Sequence, residues 1–241
     1  MLTASIEPGE VENLRRVNWQ LRRSDYCAAL EFYCKLTDPE KFSILVVENT
    51  GAGVADLEQL ASSNGHRLSV ISYKENQSVS RKGKGNGEAL MFNRIADWLS
   101  QSKSSEEFES IIKITGRLEV RNLVSIVSGM PKNTSFFAAR IYSDLTYIDT
   151  KFFISDPLTW TRYLTNLEPL VRESEGRYLE HACALSAARM RYDGVAWVPF
   201  RIMPSISGVS GSTGQKYGTL RDRIRNFQSL LVHWVWHGGF I

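Results

Sequence analysis

FSILVVENTG, residues 42–51, is the stretch on which the fold turns. Apart from Ser43, the run from Phe42 to Val47 is apolar, and Glu48-Asn49-Thr50-Gly51 follows at once. A short, nearly continuous apolar run closed by polar turn residues suits a strand buried on both faces. Such strands belong to parallel sheets, whose crossover helices cover both sides. Working outward, residues 2–6 read as a short strand ended by Pro8-Gly9, and Arg67 to Tyr73 as another with a polar exit. Ile111 to Ile114, within Ser110-Ile-Ile-Lys-Ile114, gives a further strand closed by Thr115-Gly116-Arg117.

Helical periods separate these strands. Ser24 is expected to cap a helix from Asp25, with Tyr26, Leu30, Tyr33 and Cys34 on one face. A second helix is expected from Glu88, with Met91, Ile95, Trp98 and Leu99 inward. The alternation over the first 120 residues predicts an α/β fold with a mostly parallel central sheet and flanking helices. Ligands in such sheets bind beyond the carboxyl ends of the strands. The polar clusters at 48–51, 74–88 and 115–117 all fall at strand exits.

The second half is less regular. Strands are expected over 135–141 and 146–154. Asp156 caps a helix with Pro157 at its first position, and Trp160, Leu164, Leu167 and Val171 line its inner face. Further elements are a helix over 177–190, a strand over 195–200 and a Gly/Ser-rich loop over 204–218. The segment from Leu220 reads as an amphipathic helix with Arg221, Arg223 and Arg225 outward.

Composition narrows the classes. The chain has 241 residues, 43% hydrophobic and 23% charged, with a net charge of +3. These proportions exclude a disordered or collagen-like chain. The charge is too small to argue for nucleic acid, and no nucleic-acid motif is present. Cys27, Cys34 and Cys183 have no metal-ligand spacing and are too few for a disulfide framework, so a reducing cytoplasm is expected. No signal peptide is visible at the N-terminus. No run approaches the roughly 20 apolar residues of a spanning helix.

Several groups can carry chemistry. In Arg81-Lys-Gly-Lys-Gly-Asn-Gly-Glu88, alternate glycines let backbone N–H groups approach an anion ahead of a helix start. Lys82 and Lys84 add charge there. The spacing is neither that of a Walker loop nor that of a dinucleotide fingerprint, and a basic surface loop reads equally well. Lys113, inside an apolar strand, either meets an anion in a cleft or faces outward from an edge. Glu180, at a helix start, is a dipole partner or a general base, and His181 beside it, on the acceptor side, either tunes that carboxylate or caps packing. Asp149, among aromatics, is a second candidate base. No Asp-x-Asp pair exists, so a tight metal site is not expected and use of manganese or magnesium stays open. His233 and His237 lack a third metal ligand. The long loop around Ser210, Gly211, Ser212 and Thr213 suits a lid over a polyoxygenated ligand or a simple connector.

In order along the chain, the TASI strand with Pro8 after it, Arg22 through Asp25-Tyr26 with a following Ala29-Leu30, VENTG, KGKGNGE, IIKITGR, IDTKFF, YLEH and PSISGVSGSTG resemble a group of bacterial glycosyltransferase-like proteins. These are found with capsule and O-antigen biosynthesis and are of the GT-A nucleotide-sugar type. The similarity runs over about residues 1–218. It implies a Rossmann-like donor half at 1–120 and an acceptor half at 121–218, and the amphipathic helix at 219–241 carries none of its motifs. It implies donor contacts from Thr3, Ser5, Arg22, Tyr26, Glu48, Asn49, Lys82, Gly83, Gly85, Glu88, Lys113 and Arg117. The Lys113/Arg117 pair stands where many such enzymes carry Asp-x-Asp, and would neutralise the donor diphosphate itself. The acceptor would be a glycan or a lipid-linked sugar at the inner face of the cell membrane. The amphipathic segment 219–241, outside the resemblance, reads as a core or dimer helix or as a peripheral membrane contact. A non-catalytic nucleotide- or phosphoglycan-binding module is the alternative.

Overall fold

A computed structural model describes residues 1–8, 15, 17–74, 83–101, 108–142, 144–211 and 214–218. The first strand, β1 (Leu2–Ala4), is followed by helix α1 (Trp19–Leu36), β2 (Ile44–Glu48), α2 (Ala55–Ser63) and β3 (Leu68–Ser72). Helix α3 (Lys84–Gln101) leads to β4 (Ile111–Thr115), β5 (Leu118–Val120) and the short α4 (Leu123–Val127). Then come β6 (Phe136–Ile141), β7 (Ile148–Ser155), α5 (Pro157–Tyr163), α6 (Leu179–Tyr192) and β8 (Ala196–Trp197). The last two strands are β9 (Ile206–Val209) and β10 (Lys216–Tyr217).

Seven strands form one sheet in the order β3-β2-β1-β4-β7-β6-β8. The pairs β3–β2, β2–β1, β1–β4 and β6–β8 are parallel, and only β7 runs against its neighbours. This is the Rossmann-like, mostly parallel α/β sheet that the apolar run at 42–47 predicts. Alternation along β2 explains the two cores. Ile44 and Val46 face α1 and α2, packing with Leu30, Tyr33 and Leu57. Leu45 and Val47 face α3 and α6, packing with Phe92, Ile95 and Cys183. At the centre of the second core, Phe92, Phe153 and Trp160 meet with ring centroids 5.1–5.8 Å apart. The Trp160 indole N–H is satisfied by the Phe92 carbonyl at 3.2 Å.

Some boundaries differ from the sequence reading. Helix α1 starts six residues before Asp25, because Asn18 rather than Ser24 is the cap; its Oδ1 accepts the Leu21 N–H at 2.9 Å. Helix α3 starts at Lys84, not Glu88. Gly85 is suited to that start, since a Cβ there would lie 3.2 Å from the Leu179 Cβ and 2.9 Å from Glu173 Oε1. Asp156 does cap α5, accepting from Thr159 N–H at 3.0 Å, but the helix ends at Tyr163. Leu164, Leu167 and Val171 are buried in the following irregular segment. The strand expected over 195–200 is reduced to Ala196–Trp197.

The Gly/Ser-rich stretch expected to be a loop contains an antiparallel hairpin, β9–β10, laid against β5. Gly208 makes that contact possible. Its φ is +119°, and an added Cβ would lie 2.7 Å from the Arg117 carbonyl oxygen. Gly208→Ala is therefore expected to lower stability by about 1–3 kcal/mol, through backbone strain and overpacking. Equilibrium denaturation checks this, and an unchanged midpoint would show that the hairpin is not pinned there.

Candidate functional site

The chain leaves β1 for β2 and β3 on one side, then returns to β4 on the other. In open α/β sheets such a reversal marks the crevice position, beyond the carboxyl ends of β1 and β4, where ligands bind. Helix α1 projects Arg22 and Tyr26, one turn apart, into this region. The Tyr26 hydroxyl accepts the Ser5 N–H at 2.9 Å, and Arg22 Nε donates to the Ser5 carbonyl at 2.7 Å. Arg117 follows β4 and donates through Nη1 to the Val209 carbonyl at 2.9 Å. Both guanidinium carbons lie 5.9 Å from the Tyr26 ring centroid.

Two guanidiniums thus share one aromatic ring, and both are buried; Arg117 is 4% exposed. Burial lowers the Arg22 pKa, Tyr26 opposes that, and the Arg117 charge lowers it further. Like charges held together in a desolvated place are stabilised by an anion between them. The buried Arg117 Nε has no hydrogen-bond acceptor among the described residues. The hairpin closes over the pair at Ser210 and Gly211, both buried, and a Cβ on Gly211 would come within 2.3 Å of Arg117 Nη2. The hairpin therefore packs against Arg117.

The other expected donor residues fall into separate groups. Glu48 is fully buried and accepts from the backbone N–H groups of Ile6 (3.1 Å), Thr50 (3.0 Å) and Ala52 (3.1 Å), and from the Thr50 hydroxyl. It shapes the turn after β2. Asn49 Oδ1 accepts from Ser5 Oγ at 2.6 Å, tying that turn to the end of β1. On the opposite face of the sheet, Lys113 is 0% exposed and donates to Glu88 Oε1 at 2.5 Å. It also donates to Thr115 Oγ1 at 3.2 Å and to the Thr150 carbonyl. Thr3 Oγ1 donates to the same Glu88 oxygen at 3.2 Å. Lys113, Glu88 and Thr3 thus form one buried polar network.

At the start of α3, the Gly85 N–H donates to Glu173 Oε1 at 2.5 Å. A Cβ on Gly83 would lie 2.3 Å from Glu173 Oε2. The anion on this helix start is the chain's own carboxylate. Lys82, Ser212 and Thr213, and the segment 219–241, lie outside the described residues.

Reversal of β7 brings its first residues to the same rim as the carboxyl ends of β1 and β4. Asp149, buried, lines a cavity of about 110 Å³ with Arg140, Tyr142, Lys151, Tyr217 and an apolar floor that includes Phe152 and Phe200. Lys151 Nζ lies 2.8 Å from Asp149 Oδ2 and 5.5 Å from the Tyr217 ring centroid. Glu180, at the first turn of α6, accepts from Thr150 Oγ1 at 3.0 Å and does not line that cavity. Tyr147 hydrogen-bonds to Glu180; burial, then the charges of Glu180, Tyr142 and Asp149, raise its pKa and keep the phenol protonated. His181 closes the α6 start, its Nδ1 accepting from Tyr178 N–H at 3.1 Å, and stacks edge-on to Tyr147 at 5.3 Å. Sequence reasoning missed Arg140, Tyr142, Lys151 and Tyr217. Period-two spacing along β7 was the available signal for Lys151, which follows Asp149 by two residues.

Arg22 and Arg117 offer donors to an anion, not ligands to a cation. Among the described residues, no group of three or more His, Cys, Asp or Glu side chains is arranged to hold a metal ion. Among the same residues no helix is long and apolar enough to cross a membrane.

No family model and no curated protein matches the chain. Among solved structures, it is similar to a cytidylyltransferase from Leptospira borgpetersenii serovar Hardjo-bovis (strain JB197). That similarity has 15% identity and a TM-score of 0.40, over 81% of this chain and 72% of that one. It is also similar to the glycosyltransferase GlyE of Streptococcus pneumoniae TIGR4, at 9% identity and a TM-score of 0.47, over 73% of this chain and 42% of that one. These are likenesses of chain path.

Proposed function

We propose that the chain transfers a sugar from a nucleotide-sugar donor to a glycan or lipid-linked acceptor in bacterial surface polysaccharide synthesis, at the cytoplasmic side of the membrane. The observation that carries this reading is the pair of buried guanidiniums astride Tyr26 at the crevice beyond β1 and β4. It supports a seat for a diphosphate, the charged part of such a donor. The ordered resemblance of the motifs supports the sugar.

In this reading the acceptor hydroxyl attacks the anomeric carbon, and the bond from that carbon to the diphosphate oxygen breaks. Negative charge grows on the leaving diphosphate, where Arg22 and Arg117 stabilise it. The hydroxyl proton passes to a carboxylate at the same rim. Asp149 faces a cavity and Glu180 is held by Thr150 and Tyr147, so both are tested as the base. The base variant, Asp149→Asn or Glu180→Gln, is expected to lower kcat by about 10²–10⁴ while retaining donor affinity. If both variants turn over normally, neither carboxylate takes the proton.

The test of the reading itself is calorimetric titration with nucleoside diphosphates of the common bases, followed by assay of nucleotide release from sugar nucleotides. Transfer requires release that depends on acceptor. Binding without release identifies a nucleotide-binding module, and no binding to any nucleoside diphosphate removes the reading.

A further inference from the structure

A second hollow lies at the other end of the molecule. Helix α6 starts beside Thr150 at the rim just described, and its 14 residues carry the chain about 20 Å away to Tyr192. There the ends of α5 and α6 border an open hollow of about 630 Å³, lined in part by Arg162, Tyr163, Asn166, Arg189, Tyr192 and Asp193. That volume is in the range of small-molecule sites. None of these residues belongs to the crevice or to the cavity around Asp149.

The lining has a definite chemistry. Tyr192 is 93% exposed, so its ring has an open face, an unusual state for so large a side chain. Asp193 Oδ2 accepts from the Tyr163 hydroxyl at 2.7 Å and lies 3.8 Å from Arg162 Nη2. Arg162 in turn lies 5.2 Å from the Tyr163 ring centroid, within cation–π range. Arg189 makes no side-chain hydrogen bond or ion pair among the described residues. Asn166 stands on the lip with a left-handed φ of +54°.

An exposed aromatic face accepts the C–H face of a sugar ring, while forked guanidiniums from two helices accept a carboxylate or phosphate. Asp193 remains as an acceptor for ring hydroxyls. We propose that this hollow binds an acidic oligosaccharide, at a site separate from the crevice and independent of whether that crevice transfers sugar.

The test is calorimetric titration of the full chain with trigalacturonate, maltotriose and inorganic phosphate. Trigalacturonate is expected to bind at least about tenfold more tightly than either of the others. Arg162→Ala/Arg189→Ala and Tyr192→Ala are each expected to weaken it about tenfold or more, with unchanged thermal midpoints because the side chains are exposed. Arg117→Ala is expected to leave trigalacturonate binding intact, which separates this site from the crevice. Absence of trigalacturonate binding, retention of it by either hollow variant, its loss in a folded Arg117→Ala protein, or equal affinity for phosphate or maltotriose would each overturn the proposal.

Discussion

Arg117→Ala is expected to weaken binding of a nucleoside diphosphate about 100-fold, roughly 2.7 kcal/mol. The size follows from the position of the guanidinium. It is buried, one of its nitrogens is anchored on the Val209 carbonyl, and its Nε has no acceptor among the described residues. A buried forked cation makes charge-assisted, paired hydrogen bonds to a phosphate that water would otherwise weaken. Arg117→Lys is expected to recover little, because an ammonium is a point charge without the planar fork. Tyr26→Phe serves as a comparison, since it keeps the shared ring but removes the hydroxyl that meets Ser5. Calorimetry of the three variants, with circular dichroism to show that each is folded, checks the prediction. Wild-type affinity in a folded Arg117→Ala protein would leave the diphosphate seat without support.

The largest loss of stability is expected from Lys113→Met. Its ammonium is completely enclosed and ion-paired to Glu88 at 2.5 Å. Removing one partner leaves a buried charge uncompensated, at about 3–5 kcal/mol. Adding Glu88→Leu is expected to restore most of that loss, because a well-packed apolar pair needs no counter-charge.

The pH dependence separates the two proteins. Burial acts most strongly on Glu88 and by itself raises its pKa. The Lys113 ammonium, then Lys84, with hydrogen bonds from Lys113 and Thr3, outweigh it and hold the carboxyl below its usual value. In the wild type this contribution is present above the ordinary carboxylate pKa of about 4.3 and is lost as pH falls through the lower folded value. Without Lys113, burial dominates and the folded pKa moves up. The Lys113→Met protein is then expected to gain stability as pH falls from about 7 to 5, where the wild type changes little through this group. Urea midpoints at both pH values measure this. Equal midpoints for wild type and single variant at neutral pH would show that the pair is not needed.

The sheet was legible in the sequence because its strands are buried on both faces, so Ile44 to Val47 reads as one apolar run wherever it is met. The inner faces of α1 and α3 were legible for the same reason, through Leu30 and Tyr33, and through Met91, Ile95 and Leu99. The start of α1 was not, since Asn18 and Ser24 are equally good caps by type and only tertiary packing of Arg22 and Tyr26 selects between them. Lys113 was recognised as costly to bury, but its partner Glu88 lies 25 residues earlier and on another element. Spacing carries no information about such a pair. The hairpin at 206–217 was hidden because its glycines are read as breakers, whereas Gly208 is a strand residue placed against a neighbouring backbone. The cavity around Asp149 was hidden because Arg140, Asp149 and Tyr217 come together only through the reversed direction of β7 and the return of the hairpin.

The bond from Arg117 to the Val209 carbonyl spans 92 positions of the chain. During synthesis the early strands and helices emerge first, yet the wall over Arg117 belongs to the stretch made among the last of the described residues. A ribosome-held chain stopped before residue 205 would present the arginines without their cover, so the proposed anion seat would be completed late in translation rather than growing with length.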